Sequence, residues 1–224
     1  MGIDLPGDAS RRKILERLAT AYEARDAGAA GPGIRYARGP GCDAEELLAL
    51  ALERFGSQEV GYHVLPGWQA LVESIANHLY SRQARLVVIE RCALLERAGL
   101  REGLSSRLPD LRFVDATTDP HEVARADVGI TSCEAIIAQT GSLVLTGRER
   151  GGLGMSLLCG VHFCVAATGQ LVPDLESWLE RRGPLAADEA CVLVSGPSRT
   201  ADIEKTVVVG VHGPWKLSVF LVKE

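Results

Sequence analysis

Apolar residues recur along this chain in two spacings, and their alternation predicts an α/β fold. Leu71, Ile75 and Leu79 lie three to four residues apart, which is the spacing of one helix face. The run from Leu86 to Ile89 is short and continuously apolar, as in a strand that is covered on both faces. The predicted helices are 10–27, 43–55, 67–81, 92–98 and 174–182, with a helical turn at 133–138. The predicted strands are 86–89, 111–115, 127–131, 142–146, 161–167, 190–195, 206–210 and 216–222, of which 206–210 also fits a helix end.

Strands that alternate with helices predict an open, mostly parallel sheet with helices on both faces. The second half of the chain is richer in strand, so some antiparallel pairs are expected there. Residues 28–41 are rich in Gly, Ala, Pro and Arg and are typical of a connector. We therefore expect a helical arm and linker at 1–41 and an α/β domain at 42–224, with the arm docked on the core or on another subunit.

Composition narrows the class of function. The net charge is −5, which disfavours general binding to nucleic acid. No run approaches the length of a membrane span, and residues 1–12 lack the apolar core of a secretory signal. The cytoplasm is the expected compartment. The six cysteines are scattered, which favours free thiols over a disulfide framework.

The densest group of polar side chains lies at 196–204, directly after a predicted strand. Ser198, Thr200 and the Gly196 turn could hold an anion, and Arg199 could make a forked contact with a carboxylate or phosphate. The alternative is a surface turn whose polar groups satisfy one another, for example through pairing of carboxylates with Arg199. The expected carboxylates of this segment are Asp202 and Glu204, which are also candidates for proton transfer.

Two histidines add further candidates. His212 lies between two glycines after an apolar run and could serve as a general base, or could simply bond a carbonyl in a tight turn. His162 lies between Cys159 and Cys164, but strand alternation sends His162 and Cys164 to the face opposite Val161. A role for His162 in a site is therefore expected rather than a metal site, and no metal is predicted for the chain.

Two glycine-containing segments are candidates for close backbone approach to a ligand. Thr140 and Gly141 precede a predicted strand, and the 147–154 loop follows it. The loop could cover a phosphate, or it could be an ordinary hairpin connection. Neither a dinucleotide-binding nor a P-loop pattern is present.

Several of these segments resemble the lactate utilization protein C family, whose shared module is the LUD domain. The resemblance is carried by 195–204 (SGPSRTADIE) and 210–214 (GVHGP), with further matches at 139–145, 156–162 and 171–175. It implies a fold similar to ribose-5-phosphate isomerase, glucosamine-6-phosphate deaminase and the CoA transferases, with the site at strand ends. It also implies a bacterial system that oxidises L-lactate to pyruvate with iron–sulfur partner proteins.

Within that system the chain would be the cluster-free component, because it lacks the cysteine spacing of a cluster protein. The resemblance also exposes departures: Gln139 stands where the family usually has glutamate, Glu134 stands where it often has aspartate, and 159–160 replace paired prolines. A non-catalytic assembly or metabolite-sensing module is therefore the alternative function. A stand-alone isomerase or CoA transferase is a third. The sequence leaves the oligomeric state open.

Overall fold

The computed structural model describes residues 43–114, 119–147, 151–186, 189–201, 207–209 and 213–224. The predicted helix at 10–27, the connector at 28–41 and the boundary between them and the domain lie outside these residues and stay predictions. The helices are α1 (Ala44–Ser57), α2 (Trp68–Ser81), α3 (Ala93–Arg97), α4 (Leu100–Arg107), α5 (Pro120–Val123), α6 (Gly151–Leu158) and α7 (Leu175–Arg182). The strands are β1 (Gly61–Leu65), β2 (Leu86–Ile89), β3 (Arg112–Val114), β4 (Val128–Ser132), β5 (Ala135–Ile137), β6 (Ser142–Gly147), β7 (Val161–Ala167), β8 (Leu171–Val172), β9 (Ala190–Val194), β10 (Arg199–Ala201), β11 (Val207–Val209) and β12 (Lys216–Val222).

Helix α1 shows how local sequence fixes an element boundary. Asp43 caps the helix, since its carboxylate accepts from the backbone N–H of Glu46 at 2.8 Å, and the Glu46 side chain accepts in return from the Asp43 N–H. Leu47, Ala51 and Phe55 then lie on one face and are buried. The helix predicted at 43–55 is confirmed.

The main sheet has six strands in the order β1-β12-β7-β4-β2-β3, and every neighbouring pair is parallel. One face packs against α2, α3 and α4, and the other packs against α1, α5, α6 and a second sheet. The predicted α/β class, with a mostly parallel sheet and helices on both faces, is confirmed. Strand β7 lies in the middle and is buried throughout, with Val161 and Phe163 facing one layer and Cys164 facing the other, as alternation predicts.

A second sheet has the order β8-β5-β6-β9, in which β6 is antiparallel to both of its neighbours and β5 is parallel to β8. Strands β10 and β11 form a separate antiparallel pair. The expectation of antiparallel pairs in the second half is therefore confirmed.

Two predicted elements were wrong. Residues 133–138 were expected to form a helical turn, but 135–137 form β5, because pairing with β6 satisfies their backbone and buries their apolar side chains. Residues 147–154 were expected to form a loop, but α6 begins at 151, and burial of Met155 and Cys159 offsets the low helix propensity of its glycines. No prediction was made for β1, α4, α5, β8 and β10.

Candidate functional site

A crevice opens where the chain leaves β2 and β4, which are neighbours in the parallel sheet. From β2 the chain continues through α3 and α4 to β3 at one side, and from β4 it continues through the second sheet and α6 to β7 at the other. The two connections therefore diverge, and their helices cover opposite faces. Ligands of open α/β sheets bind in such a place, outside the carboxyl ends of the strands where the order reverses.

Glu90 occupies this position, directly after β2. Its carboxylate accepts a hydrogen bond of 2.8 Å from the backbone N–H of Ser132, the last residue of β4. Its own backbone N–H donates to the Ile130 carbonyl at 2.9 Å, so both its backbone and its side chain bridge the two strands. Burial raises the pKa of the Glu90 carboxyl above its ordinary value, and the Ser132 N–H opposes that rise. A carboxyl group held at a strand end with a raised pKa is suited to proton exchange.

Glu134 forms the opposite wall. The Thr146 hydroxyl donates to its carboxylate at 2.7 Å, and the Arg182 guanidinium approaches it to 2.9 Å. Arg182 also pairs with Glu189, and this hydrogen bond and the Glu134 contacts raise the pKa of Arg182 although burial opposes them. The carboxylate of Glu134 is therefore fixed in place by partners on two elements.

The crevice between these walls measures about 240 Å³. Gln170 closes one end, since its amide donates to the Cys133 carbonyl and accepts from the Ala167 N–H at 2.6 Å. The lining comprises Glu90, Cys92, Leu94, Ser132, Cys133, Glu134, Leu145, Thr146 and Gln170.

A second chamber of about 380 Å³ adjoins the crevice, and Glu90 lines both. Arg91 and Arg101 line the second chamber together with Glu96 and Glu102. The Arg101 guanidinium lies 4.8 Å from the centre of the Phe113 ring, a cation–π distance that holds it in place. Cationic and acidic groups thus meet at Glu90, which suits a small ligand that bears both a carboxylate and a hydroxyl group.

Two thiols near the crevice, those of Cys92 and Cys164, have raised pKa values. Burial raises the pKa of Cys92, and a hydrogen bond with Cys133 together with burial raises that of Cys164 well above its usual range. Cys159 lies away from the crevice, packed on Gly129, and burial raises its pKa to about 12. Because the thiolate is the reactive form, these three groups are poorly suited to be nucleophiles. Among the described residues no cluster of His, Cys, Asp and Glu has the arrangement of a metal site.

The predicted ligand residues Thr140, Gly141 and Gly196 lie elsewhere, at the far end of the second sheet. Hydroxyl contacts of 2.7 and 2.6 Å link Thr140 to Ser142 and Ser142 to Ser195. Ser142 begins β6, whereas the crevice residue Thr146 lies four positions further along that strand. Four residues of strand span roughly 13 Å, so these hydroxyls and the crevice are separate places.

Gly141 and Gly196 both rest on the C-terminal end of α1 and adopt positive φ angles of 64° and 106°. A Cβ at Gly141 would come within 2.7 Å of the Arg54 Cβ, and one at Gly196 would lie 3.4 Å from the Gln58 carbonyl oxygen. The glycines are therefore required by the close approach to α1.

The segment at Ser198 and the segment at 213–214 contact each other. The Ser198 N–H donates to the Pro214 carbonyl at 2.8 Å, and a Cβ at Gly213 would lie 3.1 Å from the Ser198 Cβ. Arg199 and Thr200 begin β10, opposite β11. Asp202, Glu204 and His212 lie outside the described residues, and their predicted roles stay predictions.

His162 is fully buried in β7, near the amino end of the parallel sheet and away from the crevice. Its Nε2 contacts the Thr131 hydroxyl at 2.7 Å, and its Nδ1 has no hydrogen-bond partner. Burial lowers the pKa of His162 to about 4. A neutral histidine enclosed in the core is placed for a structural contact, and its predicted part in proton transfer stays a prediction.

Comparison with known proteins places the chain in a family. The profile of the LUD domain matches residues 115–222. The lactate utilization protein C of Bacillus licheniformis is 31% identical over 162 residues, which cover 65% of this chain and 68% of that protein. This chain belongs to the lactate utilization protein C family. The protein of that name from Bacillus velezensis is 26% identical over 85% of this chain and 83% of its own length. The match with the Macrococcus caseolyticus protein, at 33% identity, spans 46% of that relative, less than half of it.

A solved structure, a DUF162 family protein from Deinococcus radiodurans, has the same fold. It superimposes with a TM-score of 0.57 and 23% identity and covers 81% of this chain and 99% of its own. The LUD match includes Ser132 and Glu134 of the crevice but begins after Glu90. Across the described residues, no helix combines the length and apolar character needed to cross a bilayer.

Gln139, which stands where the family usually has glutamate, is held by hydrogen bonds of its backbone. The Gln139 N–H donates to the Pro173 carbonyl at 3.0 Å, and its carbonyl accepts from Arg54 Nε at 3.0 Å. Its side chain is exposed and lies in the turn before β6, not in the lining of the crevice.

The sequence analysis did not identify Glu90, Cys92, Ser132 and Gln170 as site residues. For Glu90 and Ser132 the available signal was their position directly after the predicted strands 86–89 and 127–131, but strand order was needed to show that the two positions adjoin.

Proposed function

We propose that this chain is the cluster-free component of a bacterial L-lactate utilization system. It acts beside partner proteins that carry iron–sulfur clusters, and together they oxidise L-lactate to pyruvate. Membership of the lactate utilization protein C family and the names of its relatives support this proposal.

The proposed ligand is a small 2-hydroxy or 2-keto acid bound at the crevice. The observation that carries this step is the Glu90 carboxyl, half-buried at the divergence of β2 and β4 and held by the Ser132 N–H. A half-buried carboxyl with a raised pKa at this point in an α/β sheet is typical of a functional group rather than of a structural one.

Arg91 and Arg101 would receive the carboxylate of the ligand, because guanidinium groups match carboxylate geometry. Glu90 would then face the ligand hydroxyl and accept its proton. Oxidation of lactate to pyruvate releases two electrons and two protons. In this proposal the electrons leave to the partner proteins, and this chain contributes binding and the first proton acceptor.

The segment around Gly196 would supply a second contact region. Ser198, Arg199 and Thr200 are proposed to hold an anionic group, and His212 with Asp202 or Glu204 is proposed to move protons there. The Ser198–Pro214 hydrogen bond supports this proposal, since it ties the two segments together.

Reconstitution of the chain with its two companions tests the proposal. Glu90→Gln keeps the shape of the side chain and its acceptor for Ser132, but it removes proton exchange. We expect lactate-dependent electron transfer to fall by about 100-fold or more, as for loss of a general base. The matched control is Glu122→Gln, at an exposed site on α5. Equal turnover by Glu90→Gln and the control would refute the role of Glu90.

Calorimetric titration of the isolated chain with L-lactate and with pyruvate separates binding from turnover. Arg91→Gln should weaken both ligands, while Glu90→Gln should weaken lactate more than pyruvate, because only lactate presents a hydroxyl hydrogen. Arg199→Ala tests the second contact region in the same assays. Unchanged affinity and turnover in that variant would remove Arg199 from the proposal.

A non-catalytic assembly or sensing module is the second candidate function. Two observations favour it: Gln139 stands where the family usually has a carboxylate, and the pKa values of Cys92, Cys159 and Cys164 are all raised. Co-purification with both companions, combined with a Glu90→Gln variant that supports full turnover, would favour this module. Acyl-CoA exchange by the isolated chain would instead support a CoA transferase activity.

A further inference from the structure

The crevice and the second chamber differ in the charges of the residues that line them. Arg91 and Arg101 line the second chamber, whereas the described residues that line the crevice include two carboxylates and no cation. These carboxylates belong to Glu90 and Glu134. A ligand that reaches from one space into the other would therefore place its carboxylate in the second chamber and a neutral group in the crevice.

Arg182 does not change this assignment. Its guanidinium pairs with Glu134 and Glu189, and it lines a separate cavity of about 260 Å³ beneath α7 rather than the crevice. Glu134 and Gln170 line both of these spaces. Arg182 therefore weakens the negative potential at Glu134, but it is not part of the crevice wall.

The wall of the crevice that follows β2 is apolar. Cys92 precedes α3 and Leu94 lies in its first turn, and both are half-buried, so part of their surface is open. Burial raises the pKa of the Cys92 thiol, and a protonated thiol packs as a small hydrophobe. Leu145 of β6 adds a second leucine, which is 3% exposed because the rest of it packs in the core. These side chains are suited to contact a short alkyl group.

We propose that Leu94 and Glu134 determine which 2-hydroxy acids the crevice accepts. Leu94 contacts a short alkyl group bonded to C2 of the ligand, and Glu134 repels a second carboxylate at that position. An alkyl group gains free energy when it leaves water, whereas a second negative charge beside Glu90 and Glu134 is unfavourable. The inference rests on the function proposed above, because it takes the Glu90 crevice as the ligand site.

Calorimetric titration of the full chain with four acids tests this specificity. Glycolate has no side chain, L-lactate has a methyl group, L-2-hydroxybutyrate has an ethyl group and L-malate has a second carboxylate. The quantity compared is the ratio of two dissociation constants within one protein, which a general loss of affinity leaves unchanged. We expect the wild type to bind L-lactate roughly tenfold more tightly than glycolate, as for one methyl group in an apolar pocket. It should bind L-malate at least about tenfold more weakly than L-lactate, because like charges meet.

Two substitutions at Leu94 should change these ratios in opposite directions. Leu94→Ala should reduce the preference for L-lactate over glycolate severalfold and should favour L-2-hydroxybutyrate, because the wall recedes. Leu94→Phe should weaken L-2-hydroxybutyrate more than L-lactate and L-lactate more than glycolate, because the wall advances. The matched control is Leu157→Ala, at a leucine of α6 that is 51% exposed, and its ratios should equal those of the wild type.

Glu134→Gln removes the charge but keeps an oxygen that can accept from the Thr146 hydroxyl. It should narrow the difference between L-lactate and L-malate severalfold and leave the ratio of L-lactate to glycolate unchanged. Two controls should leave all ratios unchanged. Glu122→Gln removes an exposed carboxylate on α5, and Arg181→Gln changes a residue that lines only the cavity beneath α7.

Failure of the specificity inference can be distinguished from failure of the proposed function. If L-lactate binds and Glu90→Gln weakens it, but the ratios in the Leu94 and Glu134 variants equal those of the wild type, the roles of Leu94 and Glu134 are refuted and the crevice remains the ligand site. If none of the four acids binds to the wild type, the proposed ligand is wrong and the specificity inference is wrong with it. If Leu94→Ala fails to fold, as judged by circular dichroism, Leu94→Phe and Glu134→Gln still decide the question.

Discussion

Acid stability of this protein should depend on one buried histidine. The pKa of His162 falls from 6.5 to about 4 because the folded chain excludes water from the ring. The folded state therefore resists protonation, while the unfolded chain takes up a proton as the pH falls below about 6.5. The contribution of His162 to the free energy of unfolding is therefore fully present above pH 6.5, and it is lost as the pH falls towards 4.

The magnitude follows from the difference between the two pKa values. Each unit corresponds to about 1.4 kcal/mol, so the full loss is about 3 kcal/mol, of which about 2 kcal/mol has gone by pH 5. His63 adds a loss of the same sign, because burial and then the charge of His78 lower its pKa. The contribution of His162 must therefore be obtained by comparing the wild type with a His162 variant, and not from the pH dependence of the wild type alone.

Urea unfolding followed by circular dichroism at pH 7, 6, 5 and 4.5 supplies that difference. His162→Gln cannot be protonated but can still bond the Thr131 hydroxyl. The variant should be less stable at pH 7 and yet lose about 2 kcal/mol less than the wild type between pH 7 and 5. His121→Gln, at an exposed position, should follow the wild-type curve. Parallel curves for His162→Gln and the wild type would refute the reasoning.

Three further predictions concern packing and charge. Glu90→Gln should raise the free energy of unfolding at pH 7 and not at acid pH, because burial disfavours the charged carboxylate, and urea titrations at both pH values check this. Gly129→Ala should destabilise the fold by about 1–3 kcal/mol, since its Cβ would lie 2.8 Å from the Cys159 sulfur. A melting temperature equal to that of the wild type would contradict it. Cys159 should resist iodoacetamide in the native protein at pH 8, and half-buried Cys191 should react before it, which peptide mass spectrometry can measure. Labelling of Cys159 ahead of Cys191 would argue against the burial of Cys159.

The elements that could be predicted from the sequence are those with a distinct apolar pattern of their own. Strands 86–89, 161–167 and 216–222 were placed with their observed bounds because runs that are wholly or mostly apolar indicate strands that are buried on both faces. The turn at 133–138 was wrong because three apolar residues carry no period, and only the long-range pairing with β6 decides between helix and strand.

The candidate site was harder to predict for a related reason. The rule that ligands lie beyond the carboxyl ends of strands was applied to 190–195, which belongs to the mixed second sheet. The divergence of β2 and β4 depends on strand order, and no local pattern at Glu90 or Ser132 encodes that order. The hydroxyl-rich segment around Ser198 was selected because its polar density is visible in the sequence, whereas the burial and hydrogen bonding of a single carboxyl such as Glu90 are not.

Glu134 and Gln170 lie between the crevice and the cavity beneath α7, so a movement of either side chain changes the shape of both spaces. Both side chains line both cavities, so a substitution at either one alters two walls at once. A functional change in such a variant therefore belongs to neither cavity by itself, and it can be assigned only by comparison with variants that line one cavity alone.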